Sequence, residues 1–380
     1  MTLDITVVGG GIAGLTVAAA LDRAGMRCTV FEQVERPRAV GAGLQISPNA
    51  ARLLHRLGLE QYLRATAVRP EAIELRRWDD GRVLGRTALG DACEKLYGAP
   101  YYTMHRVDLY EGLLQLAAPY VRFGCRIDSV TQREVGDGIV VGADGVHSVV
   151  RATLTSDRPR FSGQTVYRAL VPSAAAPWLR REPKVAIWPG PGRHCVCYPV
   201  SGGSSFNIVA TAPAETAHAE WWTTPATREE LMAAYSGWDE DLTRILDASM
   251  QVTRWSLHDR DTMTRWGSGR LTLAGDAAHP MLPFLGQGAN MAIEDACALA
   301  ACLRRDGPGE STEAGVTEAL RRYESRRQIR TERVHQASRE NARTLHLYDG
   351  DGQRKRDAAV DEAHNLRNRS WLFGHDAEEP

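Results

Sequence analysis

The sequence lacks the features of several common functional classes. Its 380 residues contain no run of about 18 consecutive apolar side chains, which a membrane-spanning helix would need. The first residues show no charged-then-apolar leader of the kind that directs secretion. The 46 basic and 47 acidic residues give a net charge of −1, so no overall charge favours nucleic acid or an anionic membrane. We therefore expect a cytoplasmic protein with neither nucleic acid nor membrane as a partner.

Patterns for metal binding and covalent catalysis are missing as well. The 7 cysteines are odd in number and scattered, without a C-x-x-C motif. No two histidines stand four residues apart beside an acid, so no metal is predicted. Ser148 follows a glycine-rich turn, but no G-x-S-x-G sequence surrounds it. Cys195 and Cys197 alternate along one predicted strand, which indicates packing.

The first positive signal is a glycine motif near the N-terminus. Residues Ile5–Val8 form a short β-branched run of the kind found in buried strands. The motif that follows has G-x-G-x-x-G spacing and comprises Gly9, Gly11, Ile12, Ala13 and Gly14. The first glycine allows a tight turn, the second lets the backbone approach a pyrophosphate, and the third lets the next helix pack on the strand. The pattern predicts a dinucleotide-binding βαβ unit.

The rest of this unit supports the same interpretation. A helix is expected over residues 14–24, and its N-terminal amides favour phosphate charge. A second strand is expected over Cys28–Phe31, with Glu32 at its end. A carboxylate at that position accepts hydrogen bonds from ribose hydroxyls and repels a 2′-phosphate. An ordinary glycine-rich turn followed by a surface glutamate is the alternative.

Two later motifs suit the same elongated ligand. Gly142-Ala143-Asp144-Gly145 and Gly275-Asp276-Ala277-Ala278-His279-Pro280 each follow a strand-like apolar run. The carboxylates of Asp144 and Asp276 are able to accept hydrogen bonds from ribose or ribityl hydroxyls, and Gly275 lets the backbone come close. Taken alone, the late motif equally suits a strand–loop–helix with an exposed aspartate. Three such motifs in this order indicate a bound flavin nucleotide.

A glycine-rich loop precedes the buried helix expected over Gly288–Leu303. Backbone amides at the start of that helix favour an anion, such as the N1–C2=O edge of a reduced flavin. The predicted cofactor contacts in this segment are Pro283, Gly286, Gly288, Ala289 and Asn290.

Other elements follow from periodicity and capping signals. Asp108 is expected to cap a helix over Leu109–Leu116, and Thr227–Leu246 is expected to be helical. Residues Ser162–Ala212 alternate as half-buried sheet does, and Arg270–Ala274 is a further predicted strand. The basic stretch Arg321–Arg343 suits a solvated helix, with a nucleic-acid or NADPH-phosphate role as the alternative.

These motifs resemble the signatures of single-component FAD-dependent aromatic hydroxylases. The resemblance covers nearly the whole chain and is strongest for the branch with salicylate hydroxylase, 3-hydroxybenzoate 6-hydroxylase and 6-hydroxynicotinate 3-monooxygenase. The segments that carry it are Ile139–Arg151, Leu273–Pro280, Gly41–Asn49, His105–Leu109, Gly286–Gly288 and Trp371–Gly374. It implies noncovalent FAD, and it adds Gly43 and Arg106 to the predicted cofactor contacts. Arg106 is a partner for an FAD phosphate, with a surface ion pair as the alternative.

The resemblance also implies an α/β fold. We expect a Rossmann-type FAD-binding domain interrupted by a mainly antiparallel β-sheet substrate domain, like para-hydroxybenzoate hydroxylase, with C-terminal helices. The expected FAD-binding segments are 1–69, 101–161 and 263–303, the substrate-domain segments are 70–100 and 162–262, and the C-terminal helical region is 304–380.

Three side chains are predicted to act on the substrate. On the strand around Cys195, His194 and Tyr198 share one face. By the resemblance, His194 is the general base or proton relay, Tyr198 is a hydrogen-bonding wall, and Gln287 orients the ring. An imidazole titrates near neutrality and suits the removal of a phenolic proton, whereas a histidine on a strand also serves structural roles. The cavity must exclude water, which would release H₂O₂ without product.

The expected function is FAD-dependent hydroxylation of a small phenolic aromatic acid, salicylate- or 3-hydroxybenzoate-like, with O₂ and NADH or NADPH. The resemblance implies that oxygen is transferred from a flavin C4a-hydroperoxide. Oxidative decarboxylation of a salicylate-like ring and a non-catalytic flavin-binding redox sensor are the alternatives. Gln45 replaces the histidine of 6-hydroxynicotinate enzymes, which disfavours a pyridine substrate. Arg193 and Arg168 are the candidates for a substrate carboxylate, and a homodimer stays open.

Overall fold

The computed structural model describes residues 4–36, 42–130, 138–216, 224–305, 313–360 and 365–379. Gly41, one of the residues that carry the family resemblance, lies outside these ranges. The strands are β1 (Ile5–Val8), β2 (Thr29–Phe31), β3 (Gly43–Ile46), β4 (Ala72–Arg76), β5 (Val83–Ala88), β6 (Tyr102–His105), β7 (Val121–Arg122), β8 (Ile139–Gly142), β9 (Arg160–Pro172), β10 (Lys184–Gly190), β11 (Arg193–Val200), β12 (Ser205–Pro213), β13 (Thr224–Pro225), β14 (Met250–Asp259) and β15 (Leu271–Leu273).

The helices complete an α/β architecture. They are α1 (Ile12–Arg23), α2 (Pro48–Leu54), α3 (Glu60–Thr66), α4 (Gly90–Tyr97), α5 (Arg106–Ala117), α6 (Val149–Ala152), α7 (Pro177–Arg181), α8 (Arg228–Ala234), α9 (Glu240–Asp247), α10 (Gly288–Arg305), α11 (Glu313–Leu345), α12 (Asp351–Ala358) and α13 (Ser370–Phe373). Within the described ranges, no helix combines the length and the apolar character that crossing a bilayer requires.

The first sheet is parallel and has the strand order β15-β8-β1-β2-β7. Its short strands are buried and rich in β-branched residues, because helices cover a parallel sheet on both faces. In register, Val7 lies between Val30 and Val141. The three glycine-bearing motifs follow β1, β8 and β15, so parallel pairing places all three loops at one edge of the sheet.

The second sheet is mainly antiparallel, with the order β13-β14-β9-β12-β11-β10-β4-β5 and one parallel pair, β10 with β4. Side chains alternate along β11. Cys195 and Cys197 face the cluster that contains Tyr235 and Leu242 of the covering helices. Val196 and Tyr198 face the other way, toward Met291 of α10. The face that carries Val196 and Tyr198 therefore lies against α10. We call the segment between β15 and α10, residues 274–287, the flavin-type loop.

Several element boundaries differ from the sequence expectations. Helix α1 begins at Ile12 rather than residue 14, because Gly11 with extended backbone serves as its N-cap. Helix α5 begins at Arg106, so Asp108 lies in its first turn instead of capping it. The stretch 227–246 is two helices, since the first ends at Ala234 and the second is capped by Asp239. Its carboxylate also accepts a hydrogen bond from Trp188 Nε1 at 2.9 Å.

Other boundaries shift by a residue or more. The second strand starts at Thr29 and the late strand at Leu271, each one residue after the predicted start, and the late strand also ends one residue early, at Leu273. The predicted basic helix is the middle of the longer α11. Val316, Leu320 and Tyr323 on one side of this helix are buried, so the helix packs on the core by its apolar side chains. Strands β4 and β5 join the second sheet through β10. The six predicted domain segments stay a prediction.

Candidate active site

The three glycine-bearing motifs pack directly against one another. Gly9 has φ +102°, and a Cβ there would lie 2.5 Å from the carbonyl oxygen of Ala143. Gly275 has φ +62°, and a Cβ there would lie 2.8 Å from the Cβ of Ala13. Segments separated by more than a hundred residues thus meet at the end of β1, and only glycine permits both approaches.

The turn between β1 and α1 fits a pyrophosphate. A Cβ on Gly14 would overlap the Gly9 carbonyl oxygen, so this glycine is required by helix–strand packing. A Cβ on Gly11 would meet no heavy atom of the described residues within 4 Å. In this part of the structure, the start of α1 also has no side-chain cap and no acidic residue in its first turn. Its N-terminal amides are therefore available to a phosphate anion.

Glu32 stands at the end of β2, beside this turn. Its Oε2 accepts a hydrogen bond from the Gly10 backbone N–H at 2.7 Å, and its Oε1 accepts one from Val34 N–H at 2.9 Å. These bonds fix the carboxylate next to the glycine turn. Its contact with a ribose stays a prediction.

The two aspartates of the later motifs differ in environment. Asp144 Oδ2 accepts hydrogen bonds from the amides of Val149 and Val150 and so caps α6. Its Oδ1 is buried and has no partner among the described residues. Burial raises the pKa of this carboxyl, and the bonds it accepts lower it in part. Asp276 is exposed, and one of its carboxylate oxygens lies 3.9 Å from where a Cβ on Gly288 would be. Both carboxylates fit hydroxyl-rich ligand segments.

The loop before α10 is held by side-chain amides. Pro283 opens a short turn that ends at Gly286, whose φ of +63° requires glycine. Asn290 donates to the carbonyl oxygens of Gln45 and Gly286 at 2.9 and 2.8 Å and accepts from Ser47 N–H at 2.9 Å. Gly288 and Ala289 then begin α10. The Asn290 side chain therefore fixes the loop, while the first-turn amides keep their predicted cofactor role.

Gln287 takes part in the same support. Its Nε2 donates to Ser47 Oγ at 3.0 Å, and its Oε1 accepts from Asn49 Nδ2 at 3.3 Å. The side chain is 2% exposed. Both ends of the amide are thus bound by protein, which favours a loop-holding role, and orientation of the substrate by Gln287 stays a prediction.

A buried charge network beneath this loop was missed by sequence reasoning. Asp295 accepts from Gly275 N–H at 2.8 Å, His279 Nε2 lies 2.5 Å from it, and Arg327 donates to it at 2.7 Å. Glu294 pairs with Arg327 at 2.6 Å and with Arg330 at 3.0 Å. The available signal was the acidic pair inside an otherwise apolar helix.

The network is ionised because its charges are paired. Burial alone raises the pKa of Glu294, but Arg327 and Arg330 outweigh it and lower the pKa to about 2. Burial likewise opposes the ionised form of Asp295, and His279 and Arg327 lower its pKa to about 2. Arg330 also donates to backbone carbonyls of Trp371 and Leu372. The flavin-type loop, α11 and the C-terminal tail are thereby held together.

His194 lies on the face of the second sheet that meets the loop. Its Nδ1 is 2.7 Å from Nε2 of His346, and its ring contacts Phe284 at 5.4 Å between centroids. Burial lowers the pKa of this imidazole well below 6.5, and His346 lowers it further. Nε2 of His194 has no hydrogen-bond partner in the part of the chain that the structure describes. The ring is therefore neutral and has one nitrogen available.

Tyr198 stands two positions further on the same face as Val196. A Cβ on Gly43 would lie 2.6 Å from its ring, so glycine at 43 is needed for β3 to approach β11. Gln45 accepts a hydrogen bond from Tyr101 Oη at 2.6 Å. Burial raises the pKa of the Tyr198 phenol, while Arg168 and Gln45 lower it in part. The structure thus brings Gly43, Gln45 and Tyr198 together, and the role of Tyr198 as a hydrogen-bonding wall for the substrate stays a prediction.

Arg168 reaches the same face through the sheet register. It pairs with Val209, which pairs with Val196 of β11. Its guanidinium lies 3.9 Å above the Trp255 ring, and its pKa is lowered to about 10 by burial, partly offset by Tyr198. Arg168 Nε, Trp255 Nε1 and Asn207 Nδ2 are buried donors without an acceptor in the described ranges. An anionic ligand is the natural acceptor for such a group.

The two other arginines singled out from the sequence behave differently. Arg193 donates to the backbone oxygen of Ala234 in α8 and alternates with His194 along β11, so Arg168 is the better-placed carboxylate candidate. Arg106 is exposed at the start of α5 and forms no ion pair with the residues described here. Its charge contributes to the lowered pKa of Arg168. Its guanidinium is therefore available to an anion, and its contact with an FAD phosphate stays a prediction.

Comparison with known proteins gives a family match. The family described as "FAD binding domain" matches residues 2–137 and 128–338. The chain is 47% identical over 392 residues to a 3-amino-4-hydroxybenzoate 2-monooxygenase of Streptomyces platensis, covering 98% of this chain and 96% of that protein.

Two further similarities are to other aromatic-acid hydroxylases. A 3-hydroxybenzoate 6-hydroxylase of Polaromonas naphthalenivorans is 35% identical over 360 residues, with 90% of this chain and 88% of that protein covered. A salicylate hydroxylase substrate complex superimposes with a TM-score of 0.79 at 25% identity, covering 99% and 96% of the two chains. The expected branch of flavin hydroxylases and the expected fold are confirmed.

Proposed function

Because this chain belongs to the FAD-binding family of aromatic monooxygenases, we propose that its substrate is an aminohydroxybenzoate, of which 3-amino-4-hydroxybenzoate is the first to test. The protein is an FAD-dependent monooxygenase of small phenolic acids that uses O₂ and NADH or NADPH. The substrate proposal rests on the relative at 47% identity. It also rests on the side chains of the second sheet that share the face of Val196, namely Arg168, His194 and Tyr198.

The FAD contacts are assigned by the fit of the three motifs. Gly11 and the first turn of α1 suit the pyrophosphate, Glu32 and Asp144 suit the ribose end, and Asp276 with the first turn of α10 suits the ribityl and flavin end. When bound, the flavin accepts hydride from the nicotinamide and delivers oxygen from O₂ to the ring. The assignment of segments 1–69, 101–161 and 263–303 to FAD binding and of segments 70–100 and 162–262 to the substrate domain is part of this proposal.

The observation that carries the substrate proposal is the set of buried donors around Arg168. A ring carboxylate placed there accepts from the guanidinium and from the indole N–H of Trp255. Trp255 and Phe284 supply apolar walls for the ring. The benzoate then lies across this face of the second sheet, with its carboxylate at Arg168 and a ring substituent at His194.

His194 then acts on the ring substituent. Oxygen addition at C2 of 3-amino-4-hydroxybenzoate is directed by the neighbouring amino group, whose nitrogen loses a proton as the ring donates electrons. A neutral imidazole with an available Nε2 accepts that proton, or the proton of a hydroxyl in the same position. Burial keeps the pKa of His194 low, which keeps the imidazole neutral for this purpose. Tyr198 is assigned to hydrogen-bond a second ring substituent.

A substrate panel tests the proposal directly. The purified holoenzyme is supplied with NADH and with 3-amino-4-hydroxybenzoate, its carboxamide, 3-hydroxybenzoate or salicylate. NADH oxidation, O₂ uptake, H₂O₂ and product mass are measured. We expect coupled turnover with the aminohydroxybenzoate, a product that gains one oxygen and keeps its carboxylate, and weak activity with the carboxamide.

Contrary outcomes are specific. Loss of CO₂ from the product would replace hydroxylation by oxidative decarboxylation. A flavoprotein that no phenolic acid stimulates would be a redox sensor instead. His194→Ala is expected to keep FAD and lose product formation, and product formation at the normal rate by that variant would remove the base assignment.

We also propose that the protein is cytoplasmic. All seven cysteines are free, and most are buried, which suits the reducing cytoplasm where NADH is supplied. A homodimer is kept as a prediction for light scattering to measure.

A further inference from the structure

His346, which follows the last residue of α11, contacts His194 directly. The two rings are 152 residues apart in sequence, and Nε2 of His346 lies 2.7 Å from Nδ1 of His194. The rings are tilted by 32° with centroids 5.0 Å apart. None of the motifs found in the sequence contains His346, so this contact is made by the tertiary structure alone.

Of the two histidines, His194 is buried and His346 lies closer to the protein surface. His194 is 3% exposed, His346 is partly exposed, and Tyr348, two residues further on, is 71% exposed. The backbone oxygen of His346 accepts from Gly192 N–H at 3.1 Å, which fixes the residue against β11. Thr211 Oγ1 lies 3.2 Å from His194 Nδ1 and 3.4 Å from His346 Nε2. Hydrogen-bond contacts therefore connect the buried ring of His194 to the partly exposed ring of His346.

The surroundings of His346 lower its pKa and keep its ring neutral at pH 7. Burial, and then the charge of Arg193 on β11, lowers the pKa of His346 to about 4. The other contacts that His346 makes with described side chains are to neutral groups: His194 of β11, Thr211 of β12 and Phe284 of the loop before α10. Both rings are neutral at pH 7. In the tautomer with a proton on Nδ1 of His194, this nitrogen donates to Nε2 of His346, and Nε2 of His194 is the basic nitrogen.

We propose that His346 is the outer member of a proton relay that connects the substrate, through His194, to solvent. The relay rests on the proposed function of His194. A proton leaves the ring amino or hydroxyl group for Nε2 of His194, the Nδ1 proton of His194 moves to Nε2 of His346, and His346 releases its second proton to water. Each step breaks one N–H or O–H bond and forms another, and no electrons are exchanged. The reverse sequence returns a proton when product is released.

His346 is thus a positioning and relay residue, and two variants separate these roles. In His346→Gln, the amide oxygen still accepts from Nδ1–H of His194 and holds that ring, but it passes no proton. In His346→Ala, the partly exposed site is opened to imidazole from solution. His55→Ala is the matched control, because His55 is also a half-buried histidine but bonds Tyr102, away from this path.

The holoenzymes are compared by kcat and KM on the substrate that the panel identifies, with flavin spectrum and thermal unfolding as folding controls. We expect kcat to fall roughly 10- to 100-fold in both His346 variants, with KM little changed. The solvent deuterium isotope effect on kcat should rise. Added imidazole should restore turnover in His346→Ala and leave His346→Gln, His194→Ala and His55→Ala unchanged.

Normal turnover by His346→Gln would reduce His346 to a support for the His194 ring, and absence of imidazole rescue in a folded, FAD-loaded His346→Ala would also overturn the relay. These results differ from failure of the proposed function, in which the unmodified enzyme itself shows no substrate-stimulated turnover.

Discussion

Unpaired buried polar atoms give the clearest information at the scale of single residues. Arg168 is well placed by its stack on Trp255, yet its Nε has no acceptor in the described part of the chain. An unpaired buried donor destabilises a fold unless a ligand or water supplies the missing acceptor. The Nε atoms of Arg254 and Arg260 are also without an acceptor among the described residues, so Arg168 is distinguished by its position on the sheet face that carries Val196 and Tyr198.

Replacing Arg168 by methionine is expected to weaken binding of the carboxylate substrate. Methionine keeps apolar contact with Trp255 but removes a charged hydrogen bond worth about 1.5–3 kcal/mol, so KM should rise roughly 10- to 100-fold. FAD content should not change. Steady-state kinetics with the carboxylate and carboxamide substrates measures the effect, and the carboxamide should respond much less.

Arg254→Met is the matched control for this variant. Arg254 lies on the adjacent β14 and pairs with Glu230, and its strand partner Tyr167 belongs to the opposite face of the sheet. An equal rise in KM for both variants would show that the change is a general disturbance of the sheet and would contradict the carboxylate assignment.

At the scale of elements, the β1–α1 turn shows how one motif serves two different requirements. Gly14 is required by the packing of α1 against the Gly9 carbonyl group. Gly11 has φ −77° and ψ −170°, which any residue adopts, and a Cβ there would meet no described atom within 4 Å. Its glycine is therefore explained by the approach of a ligand and not by the fold.

This difference predicts opposite behaviour of two alanine variants. Gly11→Ala is expected to fold with unchanged thermal stability as apoprotein and to bind FAD at least 10-fold more weakly, because its methyl group occupies the pyrophosphate position. Gly14→Ala should lower the stability of the apoprotein by about 1–3 kcal/mol or more through overpacking.

Calorimetry of the apoproteins and fluorescence titration with FAD measure the two quantities separately. Tight FAD binding by Gly11→Ala would remove the turn from the cofactor site. A Gly14→Ala protein as stable as the parent would contradict the packing argument.

At the scale of the whole molecule, buried ionisable groups couple the fold to pH. Glu294, Asp295, Arg327 and Arg330 tie α10 to α11 and to the tail, so their charges are needed in the native state. Several histidines are instead held neutral by burial. The pKa of His346 and that of His375 are both lowered to about 4.

These shifts predict that the free energy of unfolding decreases as the pH falls below 6.5. A histidine with a lowered native pKa stabilises the fold fully above 6.5 and loses that contribution as the pH falls toward about 4. Glu294 and Asp295 add a second loss, from 4.5 and 3.8 down to about 2. Urea unfolding of the holoenzyme over this range measures the slope.

His375→Gln should make the slope above pH 4 shallower, since one of the titrating groups is removed. A stability that rises on acidification, or a slope that the variant leaves unchanged, would contradict this assignment.

The local motifs were predictable because their constraints act between near neighbours. The spacing of Gly9, Gly11 and Gly14 encodes a strand, a tight turn and a close helix within ten residues, and the structure confirms that unit. Alternation along β11 likewise placed the two cysteines opposite Val196 and Tyr198. Helix boundaries were less predictable. Asp239 caps α9 through side-chain hydrogen bonds that periodicity does not contain, and α5 begins at Arg106 without a side-chain cap from the described residues.

The sequence by itself therefore determined the flavin-hydroxylase family, the glycine turns that follow β1, β8 and β15, and the face on which His194 stands. Tertiary structure alone decided which charges and rings meet: Arg168 over Trp255, Arg327 against Asp295, and His346 against His194. The physical reason is that a glycine turn is specified by steric limits along a few consecutive residues. An interaction between side chains 32 or 152 positions apart exists only once the chain has packed.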